Sequence, residues 1–174
     1  THSIDAAGNL TQESSLELGT TNDGTSGALT INGNRAVAAL PTTASGLKVI
    51  NIGSATSPEV LYSIDASETQ TSLALNDSLL YGVSNTTGTS WTLGSSSATP
   101  ANTFAGTTTE SMTIQGNYLI QAARSQGVRI LNIEDASAPF SQSVVSVNDR
   151  AYDVTMTGNT LWVADYVENI TRID

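Results

Sequence analysis

The sequence predicts an all-β fold assembled from repeats of about 42 residues, and three observations predict it. First, "GLKVINIGSATSP" at 46–58 returns as "GVRILNIEDASAP" at 127–139, and in degenerate form as "GTSWTLGSSSATP" at 88–100. The leading glycines, Gly46, Gly88 and Gly127, lie 42 and 39 residues apart. Second, another phrase precedes each copy: "LTINGNRAVAA" (29–39), "LALNDSLLYGV" (73–83), "MTIQGNYLIQA" (112–122) and "VTMTGNTLWVA" (154–164). Third, apolar residues inside these phrases alternate with period two, and no stretch shows a helical face. Short antiparallel strands, four per repeat of about 40 residues, describe a blade of a β-propeller. The expected architecture is therefore a four-bladed β-propeller, one blade being completed from the two termini or from a neighbouring subunit.

Each element follows from local chemistry. The first strand of a unit carries Leu29 and Ile31, Met112 and Ile114, or Val154 and Met156 at alternate positions. A tight turn follows at Gly33, Asp77, Gly116 and Gly158, where Gly, Asp and neighbouring Asn tolerate positive φ. The second strand is apolar, as in Leu161-Trp162-Val163-Ala164. A glycine-led third strand follows it, then a polar turn closing on Pro58, Pro100 or Pro139. The fourth strand is expected around 60–64 and 144–147. The predicted organisation is a single repeat domain: a partial blade over 1–19, blades over 20–64, 65–106 (degenerate, around Trp91) and 107–147, and a partial blade over 148–174. Trp162 and Tyr81 share a strand position with Val37 and Ile120, which predicts sheet-packing core. Tyr166 and Trp91 are the aromatics expected to be less constrained.

The repeats resemble the LVIVD family of prokaryotic propeller-like repeats, with "GNTLWVADY" and "GLKVINI" carrying the likeness. Asn51 and Asn132 stand where that family often has Asp. The resemblance implies the propeller fold and an extracellular setting; it brings no catalytic residues, because the family motif is structural.

The two ends carry matching part-blades. "SIDAAGNLTQESSLEL" (3–18) reads as the back half of a blade, and "VENITRID" (167–174) as a third strand. Ile173-Asp174 corresponds to Ile4-Asp5, so two segments claim one strand position. Three arrangements satisfy this pattern. The ring closes within one chain, removing its exposed edges. A surplus strand pairs with a neighbouring molecule, head to tail. Or the chain is one period of a longer tandem array. In strand complementation, main-chain hydrogen bonds supply affinity while Ile4, or Ile170 and Ile173, fill pockets on alternate sides. The start at Thr1-His2-Ser3, without Met or a signal peptide, reads as a processed chain or a segment of a longer one.

Composition narrows the chemistry. Six basic against 16 acidic residues give a net charge of −10, which opposes phosphate neutralisation and argues against nucleic-acid binding. No apolar run approaches the roughly 18 residues of a membrane span, so no membrane insertion is expected. Cysteine is absent, removing disulfides and thiolate sites, and the single histidine is His2. Lys48 matches Arg129 in another copy and reads as a solvent-facing strand residue. "GTTNDGTSG" (19–27) precedes a strand rather than a helix, which does not suit a phosphate cradle. Asn9, Asn76, Asn85 and Asn169 open N-x-S/T sequons compatible with glycosylation in a secreted chain. Asp149, Asp153 and Asp165 are candidate oxygen ligands for Ca²⁺ near a channel mouth, with solvated loop carboxylates as the plainer reading. No other cofactor is expected, and no enzyme. The expected function is an extracellular or cell-surface structural or adhesive unit that self-associates into a homopolymer or tandem array. The alternative is a monomeric propeller binding carbohydrate or Ca²⁺ at its channel mouth.

Overall fold

The computed structural model describes residues 2–4, 6–18, 27–40, 46–66, 68–85, 87–167 and 169–174. Those residues form a four-bladed β-propeller. The first blade runs β3 (Leu29–Asn32), β4 (Arg35–Leu40), β5 (Gly46–Asn51) and β6 (Glu59–Asp65) from the inside outward. The second runs β7 (Ser72–Asn76), β8 (Leu79–Val83), β9 (Thr87–Leu93) and β10 (Ala98–Ala105). The third runs β11 (Ser111–Gln115), β12 (Tyr118–Ala122), β13 (Val128–Asn132) and β14 (Phe140–Val145). The fourth holds three strands, β15 (Ala151–Thr157), β16 (Thr160–Asp165) and β17 (Asn169–Ile173). At the other end of the chain, β1 (His2–Ile4) and β2 (Leu10–Gln12) form a separate two-stranded sheet.

The turn chemistry predicted from sequence sets the inner hairpins. Gly33, Asp77, Gly116 and Gly158 all sit at positive φ, between 49° and 59°. The flanking pairs Asn32–Arg35, Asn76–Leu79, Gln115–Tyr118 and Thr157–Thr160 leave two-residue loops of the kind that match strand twist. A second regularity was not legible in the sequence. In each complete blade the fourth strand bulges at one place, leaving Leu61, Ala101 or Gln142 unmatched opposite the third strand. Bulges increase local twist, which suits the outer edge of a blade. Pro100 lies within β10 rather than before it, as an outermost strand allows.

Register places equivalent residues in equivalent roles. Ala36, Leu80, Leu119 and Leu161 lie opposite Ile50, Trp91, Leu131 and Ile173 respectively. Three apolar clusters fill the junctions between successive blades. Val37, Leu47 and Val49 of the first blade meet Leu73, Leu75, Leu80 and Trp91 of the second. Tyr81, Val83 and Phe104 meet Leu119, Leu131 and Ile133. Ile120, Ala122 and Val128 meet Val154, Leu161 and Val163. The inner strands follow the same order, β3 on β7, β7 on β11 and β11 on β15.

Trp91 is thus a buried junction residue, 3% exposed, and not the loosely held aromatic that its degenerate repeat suggests. The degeneracy has a structural reason. Gly88 occupies the position of Leu47 and Val128, and the Phe104 ring fills the space; a Cβ on Gly88 would overlap that ring. Gly88→Ala is therefore expected to lower stability by about 1–3 kcal/mol through overpacking. Chemical denaturation would show it as a lower midpoint with an unchanged slope; an unaltered midpoint would mean that Phe104 moves aside freely.

Candidate assembly surface

The two termini meet the rest of the fold differently. β17 lies against β16 in the register of every other third strand, with Ile173 opposite Leu161 and Ile170 opposite Ala164. Ile173 packs on the cluster between the third and fourth blades. Within the single chain Ile170 is 69% exposed. Among the described residues the outer edge of β17 carries no strand, so the fourth-strand position of this blade is empty. Ile4 pairs with Leu10 in the separate β1–β2 sheet, and its side chain lies outside the described residues. Of the two segments that claim the third-strand position, β17 holds it and β1 pairs only with β2.

The segment after β2 explains how the first blade is covered. Leu16 and Leu18 pack on Ala36, Ala38 and Ile50. Ile64 and Ala66 do the same for the second blade, and Val145 and Val147 for the fourth. The N-terminal stretch therefore acts as the outer half of a preceding blade whose inner half it does not contain. Ser14 Oγ adds a hydrogen bond to the Ala55 carbonyl at 2.5 Å.

The acidic residues singled out from sequence are not drawn into one site. Asp165 is buried at a strand end, where its carboxylate accepts hydrogen bonds from the Asp149 and Val167 amides at 3.3 and 3.4 Å. Asp149 faces Arg150 at 3.8 Å, and the Asp153 carboxylate accepts from the Val154 amide at 2.9 Å. Among the described residues no three His, Cys, Asp or Glu side chains converge as metal ligands would. Beside them the Tyr152 and Tyr166 rings lie 5.5 Å apart, with Arg150 5.8 Å from the centre of the Tyr166 ring. Tyr166 is exposed, as the sequence suggests.

Other surfaces offer little chemistry. A central cavity of about 360 Å³ is lined by Ile31, Leu75, Asn76, Met112 and Ile114, without a titratable side chain. A wider depression of about 780 Å³ between the first two blades is lined by Asn32, Asn34, Arg35, Asn51 and Asp77. There the Tyr62 hydroxyl donates to the Gly94 carbonyl at 3.0 Å, and burial raises its phenol above the ordinary value against the pull of Arg35. Asn51 and Asn132 serve turns: their side-chain oxygens accept from the Gly53 and Glu134 amides at 3.0 and 2.9 Å. Lys48 donates to Ser63 Oγ at 2.7 Å, while its counterpart Arg129 reaches the Ala105 carbonyl and is held below the usual guanidinium range by burial. Residues 19–26 of the glycine-rich stretch lie outside the described residues.

Comparison with known proteins bears on the fold. No family model matches the chain, and no curated relative does. Among solved structures, the computationally designed Ika4 protein superposes with a TM-score of 0.67 at 13% identity, over 92% of this chain and 98% of that one. The designed Ika8 protein gives 0.64 at 13% identity over 83% and 44% of the two chains. BamB from Moraxella catarrhalis gives 0.62 at 15% identity over 90% and 46%. The fold is a propeller. At these identities the likeness extends no further than that, and the chain spans less than half of Ika8 and of BamB.

Proposed function

We propose that the protein is a non-enzymatic extracellular building block whose copies join head to tail. The observation that carries this reading is a mismatch among the described residues: a fourth blade of three strands with no strand on the outer edge of β17, and a separate two-stranded sheet, β1–β2, near the N-terminus. In the assembly, the half-blade of one copy completes the fourth blade of another, main-chain hydrogen bonds supplying affinity along the edge of β17. Such a heterologous contact propagates into a filament when its rotation does not close. The resemblance of the repeats to LVIVD repeats supports the extracellular setting. Subunits of charge −10 repel one another, so polymer yield is expected to rise with salt.

Negative-stain electron microscopy with intact-mass measurement of the dissociated chain tests the reading. Fibres whose axial repeat is one small propeller are the expected result, with a chain of 18.0 kDa for exchange between copies and a much larger mass for a covalent array. Discrete monomers would sink it. They would favour the second reading, a ligand-binding propeller, for which the exposed Tyr166 beside Tyr152 and Arg150 offers a surface suited to stacking against a sugar ring.

A further inference from the structure

Four equivalent blades should make four equivalent junctions, and three of them hold apolar clusters. Positions that these junctions bury are exposed on the two blades flanking the fourth. On the fourth blade, Trp162 occupies the register position of Val37, Tyr81 and Ile120, which are at most 4% exposed, yet Trp162 is 37% exposed. Ile170, 69% exposed, stands where Leu47 and Val128 are sealed. On the first blade, Leu29 and Ile31 are 63% and 57% exposed. Their counterparts, Leu73 and Leu75, Met112 and Ile114, and Val154 and Met156, all pack on the blade before them.

We infer that these two faces are the halves of one blade-on-blade junction made between copies: Trp162 and Ile170 of one chain receive Leu29 and Ile31 of the next. The occupant follows from the three filled junctions. In the first and third, the residues equivalent to Val37 and Leu47 are covered by the inner strand of the following blade, through its two alternating apolar side chains; in the second, Met112 and Ile114 pack on the cluster of Tyr81, while Phe104 fills the space over Gly88. Among the described residues, β3 is the inner strand whose apolar pair is left uncovered. A groove of about 160 Å³ bordered by Thr155, Trp162, Ala164 and Ile170 marks where it would lie. The inference rests on the head-to-tail reading and adds a face-to-face contact to the strand-edge contact proposed above. It also assigns Trp162, whose strand position alone reads as core, to an interface, where large aromatics concentrate.

The test uses two full-length variants, Ile170→Glu and Ile31→Glu, studied by sedimentation velocity beside the unaltered chain. Each places an unpaired charge on one half of the junction. Each alone should weaken self-association at least tenfold. Mixed in equal amounts they should form discrete dimers and nothing longer, because each chain keeps the half the other has lost. Variants that polymerise like the unaltered chain, while removal of β1 still blocks polymers, would overturn the junction and leave strand completion standing. An unaltered chain that is monomeric, and that Ile170→Glu destabilises to heat, would mean that the fourth blade meets the first within one molecule. That result would overturn both the junction between copies and the head-to-tail reading.

Discussion

Truncating Leu119 to alanine should destabilise the protein by about 2–5 kcal/mol, the range for a buried leucine that leaves a cavity. Leu119 is fully buried in β12, paired across the sheet with Ile114 and Leu131. It belongs to the cluster that joins the second and third blades, together with Tyr81, Phe104 and Ile133. Tyr81 is also fully buried and tilted 59° from the Phe104 ring at 6.4 Å, an arrangement that cannot simply slide inward to refill the space. The repeat itself supplies a comparison. Ala36 holds this position in the first blade, where Leu16 and Leu18 of the N-terminal segment cover it instead of a whole preceding blade. Alanine thus holds this position where a single N-terminal segment covers it, and leucine where two whole blades meet. Urea denaturation followed by far-ultraviolet circular dichroism measures the effect. A loss below about 1 kcal/mol would mean that the blades relax independently, as nearest-neighbour repeats can.

Local chemistry was legible in the sequence wherever backbone conformation depends on one residue. Gly33, Asp77, Gly116 and Gly158 announce four hairpins because only Gly, Asn and Asp adopt positive φ cheaply, and those hairpins fix the period. Packing across junctions was less legible. Gly88 reads as a lost apolar residue, but its partner in space is Phe104, sixteen positions later on the next strand, whose ring makes up the missing volume. Trp91 and Trp162 carry the reverse lesson. Their strand positions were both identifiable, yet burial depends on what stands opposite: a first blade faces Trp91, and among the described residues nothing equivalent faces Trp162. The acidic candidates share this dependence. Asp165 is spent on amides of its own loop, a use that spacing along the chain does not reveal.

Deleting residues 1–5 should abolish polymers while leaving the blades folded, with a thermal midpoint changed by less than about 2 °C. The deletion removes β1 and leaves β2, a three-residue strand, without its ladder partner. A strand that short does not hold its conformation alone, so the half-blade is lost as a unit. Little stability goes with it, because Leu10, Thr11 and Gln12 are all exposed and belong to none of the apolar clusters of the blades. Leu16 and Leu18 remain in the chain, so Ala36, Ala38 and Ile50 stay covered. Light scattering and electron microscopy would read the polymer, and circular dichroism the fold. Folded chains that no longer polymerise are the expected result. Fibres undiminished by the deletion would rule out β1 as part of the joint, because the hydrogen bonds that hold the copies together would then have to come from an edge other than the N-terminal hairpin. Such an edge is available in the outer strands β6, β10 and β14, but it repeats on three blades and would give branched contacts instead of one axis. Fibre width therefore separates the two geometries: a single file of propellers requires one donor and one acceptor per chain, which is what the proposed joint between the β1–β2 hairpin and the edge of β17 would supply.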